Sequence, residues 1–142
     1  MAKGMGNGFP VGGLLLHPNF KPSFGLLGTT FGGNHLACAA VLAVLEVLIA
    51  ENLIANAEKQ GKILKRQLAE SWPEAEIRGH GLMIGLEMPG PVKAWRKDLL
   101  LSERVFTGSS SMTNVLRLLP PLGIGEQEVN RFLSAITAKE IA

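Results

Sequence analysis

The chain has 142 residues, a length for one ordinary domain, and 46% of them are hydrophobic, enough for a packed core. Its 14 basic residues nearly balance 12 acidic ones, a net charge of +2, which excludes the strongly basic surface that a nucleic-acid partner wants. Cys38 stands alone, so no internal disulfide can form and a reducing, cytoplasmic location is expected.

The chain opens Met1-Ala2-Lys3-Gly4-Met5-Gly6-Asn7-Gly8-Phe9-Pro10, a lysine in a glycine-dense turn. Val11 to Leu16 reads as a short buried strand, ended by His17-Pro18 because proline removes a ladder donor. A loop follows to Gly33. Asn34 is a good N-cap, and from it apolar residues recur at helical spacing to about Glu70, with a break allowed near Asn52 or Gly61. Cys38 falls in this pattern and is expected to be a small buried apolar residue. The apolar run from Leu36 to Ala50 contains Glu46 and is shorter than the roughly 20 residues of a membrane span, so no membrane partner is expected. No secretory signal is visible at the start.

Trp72-Pro73 stops the helical pattern. Glu76 to Met88 alternates around Gly79, Gly81 and Gly85 and reads as strand–bend–strand. Pro91 suits the first turn of a helix to about Arg104. Residues 107–114 read as a polar loop, and Val115 to Leu119 as a strand stopped by Pro120-Pro121. A last helix starts near Gly125, with Glu126 and Glu128 at the positive end of its dipole. Helices interleaved with non-local strands predict an α/β chain, with an α+β small domain whose sheet is covered on one face by helices.

Three places carry chemistry. Lys3 offers an amine where missing side chains leave room for a planar ligand. Gly28-Thr29-Thr30-Phe31-Gly32-Gly33-Asn34 offers the hydroxyls of Thr29 and Thr30 and free backbone N–H groups at a helix start, which suits a phosphate. An amine and a phosphate site are what pyridoxal 5'-phosphate needs, since its aldehyde forms a Schiff base with lysine. A lysine amine is protonated at neutral pH, so desolvation or a nearby cation must favour its neutral form first. Arg117, in mid-strand, either faces water or holds an anion, and its fork matches a carboxylate. Arg78 beside Gly79 and Gly81 reads as a structural anchor, with His80 and Glu87 unassigned. His17, His35 and His80 show no metal-ligand spacing, so no metal is expected.

The lysine segment and the Gly28–Asn34 segment are followed by Arg78-Gly79-His80-Gly81-Leu82-Met83-Ile84-Gly85, Val105-Phe106-Thr107-Gly108 and Val115-Leu116-Arg117-Leu118-Leu119-Pro120-Pro121-Leu122. In this order and spacing, the five stretches resemble the C-terminal part of the class III, ornithine-type aminotransferases. The resemblance covers nearly the whole chain. It implies part of a fold type I transferase: residues 1–33 from a large cofactor-binding domain, 34–71 a long linking helix, and 72–142 the small C-terminal domain.

It further implies that Lys3 carries pyridoxal 5'-phosphate and shuttles a proton. Thr30, with Thr29 beside it, would hold the phosphate of the neighbouring subunit's cofactor in a homodimer. Arg117 would clamp the substrate α-carboxylate. The implied reaction moves an amino group from N-acetylornithine to 2-oxoglutarate in arginine biosynthesis, with succinylornithine, ornithine and 4-aminobutyrate as alternative donors. Whole members are much longer, and the aspartate that pairs with the cofactor's ring nitrogen precedes the lysine. The chain by itself is therefore expected to be inactive and to self-associate. One departure is His35, where the family commonly has proline; a local change at the helix entry is expected.

Overall fold

The computed structural model describes residues 1–26 and 28–138. The chain divides into two compact units, Met1–Asn52 and Leu53–Ala142.

In the first unit a 3-10 turn, Lys3–Gly6, lies beside the helix α1, His35–Ala50. The loop around the turn is closed by the Gly13 N–H, which donates to the Met1 carbonyl at 2.9 Å. Gly6 is buried, and a Cβ there would meet Val11 Cγ1 at 2.5 Å, so this turn needs a glycine. The strand expected over 11–16 does not form, and Leu14, Leu15 and Leu16 are exposed. A strand needs a partner for its backbone groups, and no strand occurs among the described residues of this unit.

Asn34 caps α1 as its residue type predicts: its side-chain oxygen accepts from the Ala37 N–H at 2.9 Å. His35 follows as the first helical residue, so the cap survives the missing proline. Ala37 is the only buried residue of α1. Cys38, expected to be buried, is exposed. The helical pattern breaks at Asn52, whose φ of 51° is left-handed, and resumes as α2, Leu53–Ser71. Asparagine tolerates that conformation better than most residues.

The second unit holds the core. Strands β1 (Glu76–His80), β2 (Met83–Glu87), β3 (Gly108–Ser109) and β4 (Val115–Leu118) form an antiparallel sheet in the order β1-β2-β4-β3. β3 lies within the stretch expected to be loop. It is only two residues long, too short to show a strand period. Helices α2, α3 (Lys93–Leu101) and α4 (Glu126–Thr137) complete the unit. α3 is shorter at both ends than the expected helix. Its exit turns through Arg104, with a φ of 56°, and the Val105 N–H returns to the Leu99 carbonyl at 2.9 Å.

One face of the sheet supplies Ile84, Leu86, Leu116 and Leu118, which join Leu64 and Leu68 of α2, Leu99 of α3 and Ile136 of α4 in one buried cluster. Each such side chain contributes about 1.5–3 kcal/mol on burial. Trp72 and Trp95 meet edge to face with ring centroids 5.6 Å apart. α2 crosses the β1–β2 turn so closely that a Cβ on Gly61 would overlap the Gly81 carbonyl oxygen. Gly61 therefore sits inside the helix for a packing reason, against its low helix propensity. Glu128 reaches back to accept from the Gly125 N–H at 3.0 Å, fixing the start of α4 where the acidic first turn places it.

Candidate active site

Arg117 lies on β4 between two glycines: Gly85 is its partner on β2 and Gly108 its partner on β3. Its neighbours Leu116 and Leu118 are buried on the core side. Strand alternation therefore sends Arg117 to the opposite face, where it is exposed. This resolves the direction that the sequence left open. Among the described residues Arg117 has no ion pair. Its side chain leans over β3, and a Cβ on Gly108 would lie 3.0 Å from Arg117 Nε. The bare strip made by the two glycines is what lets a long planar group lie along the sheet.

A cleft of about 430 Å³ opens at the β3 edge, lined by Arg117, Phe106, Gly108, Pro120, Ile124 and Phe132 among others. Its wall is largely apolar, and Arg117, Arg131 and Glu128 are the charged residues in it. Thr107 is buried in the same wall, and among the described residues its hydroxyl has no hydrogen-bond partner. The Thr107 carbonyl accepts from Arg96 Nη2 at 2.9 Å, which ties the edge strand to α3.

Next to Arg117 on the same face lies a charged network on β1 and β2, extended by Asn114. Arg78 of β1 pairs with Glu87 of β2 through Nη2 and with Glu76 through Nη1 at 3.2 Å. The other Glu87 oxygen accepts from Asn114 Nδ2 at 3.2 Å, just before β4. Asn114 Nδ2 also donates to the Met88 carbonyl at 3.1 Å. The sequence alone gives Arg78 the place of a turn anchor and assigns Glu87 no role. The signal that joins them is the strand register, which needs the pairing partners.

Lys3, Thr29 and Thr30 all belong to the first unit, and all three are exposed. Lys3 has a φ of 56°, a left-handed conformation that a lysine adopts only under local constraint. Gly4, next to it, has open space where a side chain would be. Thr29 packs against Gly32, whose Cβ would overlap the Thr29 side chain, and Gly33 has a φ of 69°. Asn34 Nδ2 donates to the Phe31 carbonyl at 2.8 Å and holds this turn on the start of α1. No hydrogen bond among the described residues joins Lys3 to Thr29 or Thr30. The donor set fits pyridoxal 5'-phosphate in kind: a primary amine in an open glycine turn, and two exposed threonines beside a helix start. Among the described residues, no group of His, Cys, Asp and Glu could hold a metal ion. No single helix there is long and apolar enough to cross a membrane.

Comparison with known proteins gives these features a family. The family described as aminotransferase class-III matches residues 1–139. The acetylornithine aminotransferase of Methanopyrus kandleri is 39% identical over 139 residues, which is 96% of this chain and 36% of that protein. The acetylornithine aminotransferase of Bacillus subtilis is 38% identical, again over 96% of this chain and 36% of its own length. Among solved structures, the acetylornithine aminotransferase from Elizabethkingia anophelis is 29% identical with a TM-score of 0.70, covering 84% of this chain and 32% of that one. An ornithine aminotransferase from Plasmodium yoelii is 28% identical with a TM-score of 0.75, covering 82% and 32%. The α/β architecture expected from the sequence, part of a fold type I transferase, is the one these structures share.

The chain belongs to the class-III aminotransferase family. It spans about a third of the length of the curated relatives it matches, 36% in the first two.

Proposed function

We propose that this chain is the lysine-bearing portion of an aminotransferase that moves an amino group from N-acetylornithine, or a related ω-amino donor, to 2-oxoglutarate in arginine biosynthesis. The observation that carries the reading is Arg117: a cation without an ion-pair partner among the described residues, laid on a glycine strip, in a chain similar to acetylornithine aminotransferases over 96% of its length. An exposed guanidinium without an acid partner among the described residues is available to a carboxylate, which it holds by two parallel hydrogen bonds. Arg117 would take the substrate α-carboxylate in this way and fix the orientation of the reacting end.

Lys3 would hold pyridoxal 5'-phosphate and then act as the base that moves a proton at the amine-bearing carbon of the substrate. The cofactor, when bound, supplies an electron sink for the charge that this proton leaves behind. The constrained backbone of Lys3 supports the assignment, since strain of this kind collects at functional positions. Thr30, with Thr29 beside it, would donate to a phosphate across a homodimer interface; their exposure beside the start of α1 supports this. A cytoplasmic location is part of the reading and is supported by the lone, exposed Cys38.

The donor could also be ornithine, succinylornithine or 4-aminobutyrate. A relative 40% identical, from Pyrococcus furiosus, carries the name "Putative [LysW]-aminoadipate semialdehyde/glutamate semialdehyde transaminase", so relatives at this degree of similarity carry more than one substrate name. The 142-residue chain alone should show no turnover above a cofactor-only blank. The acids of its first unit are Glu46 and Glu51, at and just beyond the C-terminal part of α1, and no aspartate is there to pair with the ring nitrogen.

Borohydride reduction of the purified chain in the presence of pyridoxal 5'-phosphate, followed by peptide mass mapping, tests the reading. Selective modification of Lys3 over the other lysines is expected. Even labelling of all exposed lysines would remove Lys3 from the role for this chain.

A further inference from the structure

Glu87 stands between two arginines. Its direct partners are Glu76 on β1 and Val115 on β4. Two residues further along each flanking strand lie Arg78 and Arg117, each paired with Gly85. Both arginines are therefore diagonal neighbours of Glu87 on the same face, a separation that a long side chain can bridge. Glu87 pairs with only one of them. Arg78 takes one carboxylate oxygen and Asn114 the other. Arg117 leans the opposite way, over Gly108.

We propose that Arg78 is a positioning residue whose work is to occupy Glu87, with Asn114, and so keep the Arg117 guanidinium free for a substrate carboxylate. The inference rests on the reading of Arg117 as the carboxylate site. Glu87 is the nearest acid on that face by register and would otherwise compete with substrate as an internal ligand. With Glu87 held, the Arg78–Glu87 pair is electrically neutral beside the site. Without Arg78, an unmatched carboxylate sits diagonal to Arg117, pairs with it and repels an incoming anion. The Glu87 side chain is 23% exposed and Arg117 is exposed, so the competing pair would be a partly solvated one. An exposed pair of that kind is worth about a three- to fivefold change in an equilibrium.

The test uses the 142-residue chain and reads the arginine Nε–H resonances by NMR, with glutarate as the carboxylate probe. In the parent chain glutarate should shift the Arg117 resonance, and Arg117→Gln should abolish the saturable response. In Arg78→Gln the Arg117 resonance should move before any ligand is added, and glutarate affinity should fall about three- to fivefold. In the double variant Arg78→Gln/Glu87→Gln both should return to the parent values, because the competitor has been removed. Arg78→Lys should keep most of the parent affinity.

A double variant as weak as Arg78→Gln would overturn the proposal and leave Arg78 as a fold element. So would an Arg78→Gln variant that matches the parent while Arg117→Gln loses binding. If glutarate produces no Arg117-dependent response in the parent chain, the reading of Arg117 fails and takes the proposal with it.

Discussion

Arg117 rests on Gly108: the two residues are paired across β3 and β4, and the guanidinium Nε lies 3.0 Å from the point that a Cβ of Gly108 would occupy. A Cβ on Gly108 would make the arginine give way by a few tenths of an ångström, and the larger valine side chain would ask for more. The same Cβ would lie 3.0 Å from the Arg117 carbonyl oxygen, so the backbone has little room to yield. Gly108→Val should weaken glutarate binding at Arg117 about tenfold, the scale of one lost charge-assisted hydrogen bond. Calorimetry or NMR titration measures it. Parent-like affinity would show that the arginine does not need the bare strip.

A second glycine carries stability. A Cβ on Gly61 would overlap the Gly81 carbonyl oxygen, and the contact is backbone against backbone. Gly61→Ala gains helix propensity of about 1 kcal/mol, but overpacking of this kind costs more. The net loss should be about 2 kcal/mol in urea unfolding. Gly90→Ala is the control, since nothing lies within 4 Å of its Cβ position and the change should stay within about 0.5 kcal/mol. Equal effects at the two sites would remove the packing argument.

Glu58 gives a pH-dependent signal. The hydrogen bond from Lys62 Nζ, 2.7 Å away, and then its charge hold the Glu58 carboxyl below its ordinary value. A carboxyl with a lowered folded-state pKa contributes stability above its unfolded pKa and loses it as pH falls through the folded one. Lys62→Met should move the Glu58 titration midpoint up into the ordinary carboxylate range, read by carbon NMR. An unmoved midpoint would mean that another group sets it.

The first unit should drive self-association. Leu15 is 87% exposed and Phe31 80%, and Leu36, Leu42 and Leu45 of α1 are exposed with them. A helix apolar on all sides belongs in an interior, and clustered apolar surface promotes association. Light scattering should show a mass that rises with concentration. The pair Leu42→Glu and Leu45→Lys should reduce it. A monomer at all concentrations would contradict the expectation.

What the sequence disclosed depended on how local the cause was. The Asn34 cap and the β1–β2 strand pair with its glycines each arise within a few residues and are legible in the sequence, whereas for Glu128 the sequence shows only its place in the acidic first turn of α4 and not its contact with the Gly125 N–H. The strand over 11–16 was misread because a leucine run signals burial without naming a partner. The break at Asn52 is one of two options, and propensity alone points at Gly61, which stays helical and is a glycine because the distant Gly81 carbonyl leaves no room for a side chain. Around the candidate site, the residue types of Lys3, Thr29, Thr30 and Arg117 were visible along the chain. The pairing of Arg78 with Glu87 and the glycines flanking Arg117 were not, because both are products of strand register, which no single segment encodes.

The edge-to-face tryptophans have an optical consequence. Trp72 and Trp95 are the chain's two tryptophans, and there is no tyrosine. Intrinsic fluorescence therefore reports on the residues after Asn52 alone, while far-ultraviolet dichroism sees α1 as well. A melt followed in both ways weighs the two halves separately: coincident midpoints mean that they unfold as one cooperative body, and an earlier dichroism transition measures how much less stable the lysine-bearing half is.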